Sequence, residues 1–201
     1  MAKAREGKVR ARKTRSFRNM IVALVAVVLV VTALVGLYYA GREAPPSNLD
    51  KVLLKTVKGD IVIELFDDMP ITAGNFKNLV LQEVYDGTNF TRVARNPAVI
   101  QGGDASAKGI NVANISDELP NKHSNARGFV AMAKTSEPNS ATSQFYISLQ
   151  DNLFLDSNYS VFGRVIEGMD VVDAIGSTPT NVSTEIPLDT MMIFKAELIA
   201  P

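Results

Sequence analysis

The chain of 201 residues contains no cysteine and a single histidine, His123. Without cysteine the protein has no disulfides, no thiolate zinc sites and no thiol nucleophiles. Cysteine usage therefore does not indicate whether the protein works in an oxidising or a reducing compartment. With one histidine, a metal site of several histidines or a histidine-paired proton relay is hard to build. We therefore predict a protein that uses no metal and no cofactor. Because His123 lies in a polar loop, we expect it to be structural or solvated.

Basic and acidic residues are equal in number but unevenly distributed along the chain. Residues 1–18 carry eight Lys or Arg and one Glu, which gives +7, whereas the other 183 residues carry 13 basic and 20 acidic groups, which gives −7. Short basic segments sometimes bind nucleic acid. The apolar run that follows makes an orientation signal beside a membrane span the better interpretation. We expect no nucleic-acid partner.

A long apolar run, from Ile21 to Ala40, follows the basic segment. Its twenty residues, IVALVAVVLVVTALVGLYYA, carry no charge, and Thr32 is the polar side chain among them. As a helix rising ~1.5 Å per residue, the run reaches ~30 Å, enough to cross the hydrocarbon core of a bilayer. Basic residues mark the cytoplasmic side of such a span. We therefore predict a cytoplasmic segment at 1–19, a single-pass anchor in the cell membrane at 20–40, and an extracytoplasmic globular part.

A cleaved secretory signal is the alternative interpretation of this run. Signal peptides have shorter apolar cores and small residues at the cleavage site. The candidate sites here are poor, since YYA places tyrosine where a small side chain is needed and REA is followed by Pro45. We therefore favour an uncleaved anchor. Residues 41–50 contain Pro45-Pro46 and predict a short, partly extended linker.

The part from residue 51 onward alternates between short apolar segments and turn-rich loops. Alternation with a period of two predicts strands over 52–57, 60–66, 90–94, 99–101, 129–133, 145–149, 161–165 and 193–199. Helical spacing predicts one helix that is opened by Pro70 and includes Val84, and a shorter one over 169–175. Many short strands with two helices indicate a mainly β domain, a closed antiparallel barrel over residues 51–201.

One stretch, Phe90 to Asp104, places a guanidinium within an apolar strand. Its sequence is FTRVARNPAVIQGGD, in which Arg92 lies between apolar residues and Gln101 precedes a Gly102-Gly103 turn. A guanidinium beside an apolar floor suits a substrate that is half apolar ring and half amide, as proline is. Two later stretches, SQFYISL and FLDSNYSVFGRV, supply further walls. Taken alone, such an arginine is more often the partner in a surface salt bridge.

These three stretches resemble the cyclophilins, the β-barrel peptidyl-prolyl cis-trans isomerases. The resemblance runs from Val52 to Ile199 and includes, in order, ITAGNF, an FxR followed by QGGD, GFVAMA, SQFYI, Leu155-Asp156 and VFGRVIEGMDVVDAI. It implies an eight-stranded closed barrel with two helices. It also implies an isomerase that acts on proline-containing polypeptides. Phe154 and Tyr159 stand where many eukaryotic members have Trp and His, which resembles bacterial members.

The resemblance also implies the roles of particular residues. Arg92 and Gln101 would be catalytic, and the substrate-binding residues would be Ala98, Val99, Ala133, Gln144, Tyr146, Phe154, Leu155 and Tyr159. The family's Phe-Met pair before the glutamine is Ala98-Val99 here, and the segment from Ala94 to Ile100 is one residue longer than usual. Either this wall of the proline pocket is open, or the longer segment lets Pro97 or a neighbouring aromatic side chain close it.

An arginine is sufficient for the implied reaction. An X-Pro bond rotates over a barrier of ~18–20 kcal/mol because resonance holds its C–N bond planar. Twisting the bond localises the lone pair on the prolyl nitrogen, so a donor aimed there stabilises the twisted state more than the planar ones. Arg92 would be such a donor, and it stays charged at all relevant pH.

Two functions follow from this interpretation. The first is an isomerase that assists the folding of proteins outside the cytoplasmic membrane, which the presence of Arg92, Gln101 and Gln144 favours. The alternative is a chaperone or scaffold module that binds proline segments with little turnover, which the Ala98-Val99 pair favours. The oligomeric state stays open.

Overall fold

The structure is a computed structural model that describes residues 30–32 and 50–200. The chain divides into two units, Met1–Pro45 and Pro46–Pro201, and the fold below belongs to the second. Residues 30–32 are helical. Among the described residues, no helix has both the length and the apolar character that a bilayer crossing requires. The predicted cytoplasmic segment at 1–19, most of the predicted anchor at 20–40 and all of the linker except Asp50 lie outside the described residues.

Eight antiparallel strands form a closed barrel. They are β1 Lys51–Thr56, β2 Gly59–Leu65, β3 Thr88–Arg95, β4 Ala98–Gly102, β5 Phe129–Met132, β6 Phe145–Ser148, β7 Val161–Glu167 and β8 Met191–Ile199. The order around the barrel is β1-β2-β7-β5-β6-β4-β3-β8, and β8 pairs with β1 to close it. The predicted mainly β, eight-stranded barrel is therefore confirmed.

Two α-helices accompany the barrel, α1 at Pro70–Leu81 and α2 at Met169–Gly176. Two short 3-10 helices lie in the loops at Ala105–Lys108 and Leu153–Leu155. Both predicted α-helices are confirmed, although α1 ends before Val84, which is buried just beyond it.

The start of α1 depends on a residue far away in the sequence. Pro70 occupies the first turn, where a missing N–H is tolerated, and Met69 provides no side-chain cap. The carboxylate of Glu118 caps the helix instead, because it accepts hydrogen bonds from the backbone N–H groups of Ile71 at 3.0 Å and Thr72 at 2.6 Å. A carboxylate at a helix N-terminus also interacts favourably with the helix dipole.

The main hydrophobic core fills the barrel interior. Alternate residues of β1 and β2 contribute to it, among them Val52, Leu54, Ile61 and Ile63, none of which is accessible to solvent. On α1, Phe76 packs its ring against those of Tyr85, Phe145 and Phe162, with centroid distances of 4.9, 5.2 and 4.9 Å. Such aromatic pairs add about 0.5–1.5 kcal/mol each beyond the burial of their area.

A second, smaller apolar cluster lies apart from this core. Its buried members are Ala94, Val99, Ala131, Tyr146 and Val161, and the partly buried side chains packed on them include Phe129, Ala133, Leu155 and Tyr159. Residues that follow one another on a strand face opposite sides, so Ile100 belongs to the main core while Val99 belongs to this cluster. This cluster carries the candidate site.

The turn at Gly102-Gly103 is restricted to glycine by close contacts. A Cβ at Gly102 would lie 2.7 Å from the carbonyl oxygen of Asn89, and one at Gly103 would lie 2.8 Å from the rings of Phe145 and Tyr85. Gly103 also has a φ of +79°, which other residues rarely adopt. The pair thus ends β4 where β3 and the core leave no room for a side chain.

Candidate active site

A groove crosses the face of the barrel that carries the smaller apolar cluster. Its lining residues are Arg92, Pro97, Val99, Gln101, Ala133, Lys134, Tyr146, Leu155 and Tyr159. A shallower depression adjoins it, shares Gln101, Ala133 and Lys134 with the groove, and continues along Thr135, Ser140, Thr142 and Gln144. The groove is apolar at its floor and polar along one side.

Strand register explains why distant residues meet in the groove. Arg92 on β3 lies opposite Gln101 on β4, Gln101 lies opposite Tyr146 on β6, and Tyr146 lies opposite Ala131 on β5. Directly opposed residues on antiparallel strands have Cβ atoms about 4.5–5.5 Å apart and share one face of the sheet. The barrel therefore aligns a guanidinium, an amide and an aromatic ring in one row.

Polar side chains form a chain along the groove. The Nε–H group of Arg92 donates to Oε2 of Glu185 at 2.7 Å, and its Nη1 donates to Oε1 of Gln101 at 3.4 Å. Nε2 of Gln101 then donates to Oε1 of Gln144 at 2.8 Å. The side chain of Arg92 is 37% exposed, so the donors that these two bonds leave unused remain accessible to a ligand.

Tyr146 forms part of the floor. Its hydroxyl donates to Oδ1 of Asn125 at 2.6 Å, and its ring meets that of Tyr159 edge-on at 5.8 Å. Burial raises the pKa of Tyr146, and the nearby Tyr159 and Asp156 raise it further. The hydroxyl is therefore neutral at any working pH. The aromatic ring of Tyr146 is the apolar surface that lines the groove.

Two asparagines hold the wall formed by Leu155 and Tyr159. The side-chain amide of Asn121 donates to the carbonyl oxygens of Asp156, at 2.8 Å, and of Tyr159. Asn125 donates from its backbone and side-chain nitrogens to Oδ1 of Asp156, at 2.6 and 2.8 Å. Burial alone would raise the pKa of Asp156, but these hydrogen bonds outweigh it and the pKa is lowered. The ionised carboxylate of Asp156, bound by Asn125, therefore holds in place the segment that carries Leu155 and Tyr159.

Two of the predicted site residues lie outside both the groove lining and the adjoining depression. Ala98 precedes Val99 on β4 and faces the opposite side, and its backbone N–H and carbonyl oxygen bond to the side chain of Asn152 at 3.3 and 3.0 Å. Phe154 lies in the second 3-10 helix and is 62% exposed. Pro97 lies in the lining instead, as the alternative for the longer segment proposed.

The fold brings the other predicted residues together at the groove and the adjoining depression. Several residues that contact them were not predicted from the sequence. Arg92, Val99, Gln101, Ala133, Tyr146, Leu155 and Tyr159 line the groove, and Gln144 lines the adjoining depression. Lys134, Asn125 and Glu185 were not predicted. Glu185 lies 93 residues beyond Arg92, in a loop without a recognisable motif, so no local pattern identifies it.

The single histidine lies away from the groove lining. The ring of His123 stacks on Phe66 with a centroid distance of 3.9 Å, and its Nε2 lies 2.9 Å from Oδ1 of Asp68. This hydrogen bond lowers the pKa of Asp68. Within residues 50–200, no group of three or more His, Cys, Asp or Glu side chains is arranged to hold a metal.

Comparisons with known proteins agree with this geometry. Residues 51–198 match the family described as "Cyclophilin type peptidyl-prolyl cis-trans isomerase/CLD". A peptidyl-prolyl cis-trans isomerase of Acinetobacter baylyi is 47% identical over 139 residues, which are 65% of this chain and 73% of that protein. The isomerase cyp18 of Streptomyces antibioticus is 40% identical over 167 residues, 75% of this chain and 99% of that protein.

A solved structure shows the same fold. The chain is similar to a cyclophilin type isomerase of Cryptosporidium parvum, crystallised in the presence of the dipeptide Ala-Pro, with a TM-score of 0.68 and 27% identity over 75% of this chain and 99% of that chain. The chain therefore belongs to the cyclophilin-type peptidyl-prolyl cis-trans isomerase family. It is an isomerase, and proline-containing peptides are the substrates that fit this family.

Proposed function

We propose that this isomerase is anchored in the cytoplasmic membrane and acts on proline-containing segments of proteins outside the cytoplasm. Arg92 is the catalytic group, Gln101 acts with it, and the apolar floor beside them receives the prolyl ring. The observation that carries the proposal is that the Arg92 guanidinium and the apolar side chains of Val99, Tyr146 and Leu155 line the same groove.

The chemistry requires no bond to be broken. As the X-Pro bond twists, resonance is lost and the prolyl nitrogen becomes a hydrogen-bond acceptor. Arg92 donates to that nitrogen in the twisted state, so its interaction is stronger there than in either planar state and the barrier falls. The guanidinium is permanently charged and planar, and the hydrogen bond to Gln101 helps to direct it.

The remaining residues hold the substrate on either side of the reacting bond. The amides of Gln101 and Gln144 bind the peptide backbone, and their mutual hydrogen bond at 2.8 Å orients both. Val99, Ala133, Tyr146, Leu155 and Tyr159 contact the ring and its neighbours. Burying apolar area contributes about 25 cal/mol per Å², so a ring buried here supplies the affinity that orients the bond. A proline dipeptide was present with the similar Cryptosporidium parvum isomerase, which fits this assignment.

The sequence at the N-terminus supports the location. The +7 segment at residues 1–18 and the uncharged run at 21–40 are typical of an anchor whose N-terminus stays in the cytoplasm. A linker of ten residues, at 41–50, extends at most about 33–36 Å. The enzyme would therefore act near the membrane surface.

Two measurements test the proposal. A protease-coupled assay on a proline peptide, with the full chain and with the fragment from residue 50 onward, should show turnover in both. A binding module would retain affinity for the peptide without turnover. For the location, protease added to spheroplasts should digest the barrel and spare the basic end, and complete protection of the barrel would overturn the orientation.

A further inference from the structure

A carboxylate contacts the guanidinium of Arg92 from outside the groove lining. Oε2 of Glu185, in the loop between α2 and β8, accepts the Nε–H of Arg92 at 2.7 Å. The backbone oxygen of Glu185 also accepts the N–H of Val93 at 2.9 Å. One loop residue is therefore bound at two points to β3, once through its main chain and once through its side chain.

The loop that carries Glu185 is built by its own hydrogen bonds. The N–H of Glu185 donates to the carbonyl oxygen of Asn181 at 2.8 Å. The N–H of Asn181 donates to the carbonyl oxygen of Ile186 at 2.9 Å. Oδ1 of Asn181 accepts from the backbone nitrogens of Ser183, at 3.0 Å, and Thr184, at 3.2 Å. These hydrogen bonds within residues 181–186 hold the backbone of Glu185 in place.

Glu185 has a backbone conformation that favours glycine. Its φ is +58°, and non-glycine residues in this region are uncommon and strained by about 1–3 kcal/mol. The chain nevertheless has a glutamate at this position, and its carboxylate lies against Arg92. Side chains of both residues are about a third exposed, at 37% and 34%. An ion pair at such exposure contributes little to stability, so its effect is on orientation.

The contact determines which donors face the groove. A guanidinium has five N–H donors in a planar fork. Glu185 engages Nε and Gln101 engages Nη1, while within residues 50–200 the Nη2 group has no hydrogen-bond partner. With Nε held from one side, rotation about the end of the side chain is restricted and the terminal donors point along the groove.

We propose that Glu185 is a positioning residue for the isomerisation: it fixes the guanidinium of Arg92 in the plane in which its terminal N–H groups meet the prolyl nitrogen. This inference rests on the catalytic role proposed for Arg92. Because misplacement of a catalytic group by about 1 Å can cost roughly 100-fold in rate, Glu185→Ala should lower kcat/KM by about 10-fold to 100-fold. The loss should fall on kcat, since a contact that matters in the transition state leaves KM nearly unchanged.

The variants separate orientation from loop structure. Glu185→Gln keeps an acceptor for Nε and should retain most of the activity, whereas Glu185→Gly relieves the positive φ but removes the acceptor and should lose as much as Glu185→Ala. Activity retained by Glu185→Gly but lost in Glu185→Ala would show that the backbone strain matters and would overturn the proposal. The matched control is Glu64→Ala, which breaks an ion pair of the same atoms and length, Arg164 Nε to Glu64 Oε2 at 2.7 Å, on the β2–β7 pair.

A double-mutant cycle in the full chain completes the test. In an Arg92→Ala background, Glu185→Ala should have no further effect, because the group it positions is gone. Multiplying losses would show that Glu185 acts independently of Arg92 and would overturn the inference. An Arg92→Ala variant with near-normal activity would instead overturn the proposed function itself.

Nitrogen-15 NMR provides a test that does not depend on activity. The Nε–H of Arg92 should exchange faster with water in Glu185→Ala than in Glu185→Gln.

Discussion

In the catalytic role proposed for Arg92, the direction of its donors matters more than the positive charge of the side chain. A lysine ammonium is a compact point charge on a flexible stem and cannot replace a planar fork held by Glu185 and Gln101. A residue chosen only for its charge would be misaligned with the twisted amide.

We therefore expect Arg92→Lys to lose most of the isomerase activity while the fold is unchanged by circular dichroism. Because no titrating group takes part in the proposed step, the wild-type rate on a non-ionising peptide should be nearly flat from about pH 6 to 8, where a catalytic histidine would titrate. Full activity in Arg92→Lys would show that charge alone is sufficient.

Val99 and Ala98 differ in role although they are neighbours. Val99 is 2% exposed and packs within the smaller apolar cluster, so a larger side chain must displace its neighbours or fill part of the groove that Val99 lines. Overpacking of this kind typically costs about 1–3 kcal/mol. We expect Val99→Met to lower the free energy of unfolding by that amount, measured by urea titration, and to reduce kcat/KM. An increase in kcat/KM would instead reveal an open proline pocket on this wall.

At the scale of elements, the strands could be predicted from the sequence and the loops could not. Period-two alternation depends only on the residues of each strand, so all eight strands were predicted, with small differences at their ends. The same period places consecutive residues on opposite faces, so Ala98 and Val99 on β4 cannot both face the groove. The family resemblance nevertheless implied that both line the groove, and the structure places Val99 but not Ala98 in its lining.

The loops are fixed by side chains from distant parts of the chain, which no local pattern encodes. Glu118 caps α1 from 46 and 47 residues away, and Asn125 reaches Asp156 and Tyr146 across 31 and 21 residues. Arg92, Gln101 and Gln144 could be proposed as site residues because they match motifs of the cyclophilin family. Glu185 could not, since neither periodicity nor a motif connects its loop to β3.

The cap on α1 leads to a prediction about stability. Glu118→Ala leaves the backbone N–H groups of Ile71 and Thr72 without their acceptor, and Thr72 is fully buried. Loss of a helix cap typically costs about 0.5–2 kcal/mol. We expect thermal unfolding of Glu118→Ala to occur at a lower temperature than that of the wild type. Glu137→Ala, in an exposed loop, is the control and should leave the midpoint unchanged.

At the scale of the whole molecule, several surface carboxyl groups with lowered pKa values link the stability of the barrel to pH. The pKa of Asp68 is lowered by its hydrogen bond to His123, that of Asp173 by Arg127, and that of Glu197 by Lys195. In the folded state these groups therefore bind protons less readily than in the unfolded chain, whose ordinary pKa values are 3.8 for Asp and 4.5 for Glu.

The sign of the effect follows from linkage. Each lowered pKa contributes stability that is complete above the unfolded value and is lost as the pH falls through the folded value. We expect the urea midpoint of the fragment from residue 50 onward to be constant from about pH 6 to 5 and to decrease below about pH 4. Asp173→Asn should flatten part of this decrease, and an unchanged midpoint down to pH 3 would contradict the assignment.

Closure of the barrel has a consequence for how a client chain is handled. Each of the eight strands described in residues 50–200 pairs on both sides, so the sheet offers an extended polypeptide no free row of N–H and C=O groups on which to add as a further strand. A polypeptide substrate therefore gains no added-strand pairing from these eight strands, which leaves the groove as the candidate binding surface. The barrel likewise offers no strand edge on which chains could assemble by cross-strand pairing.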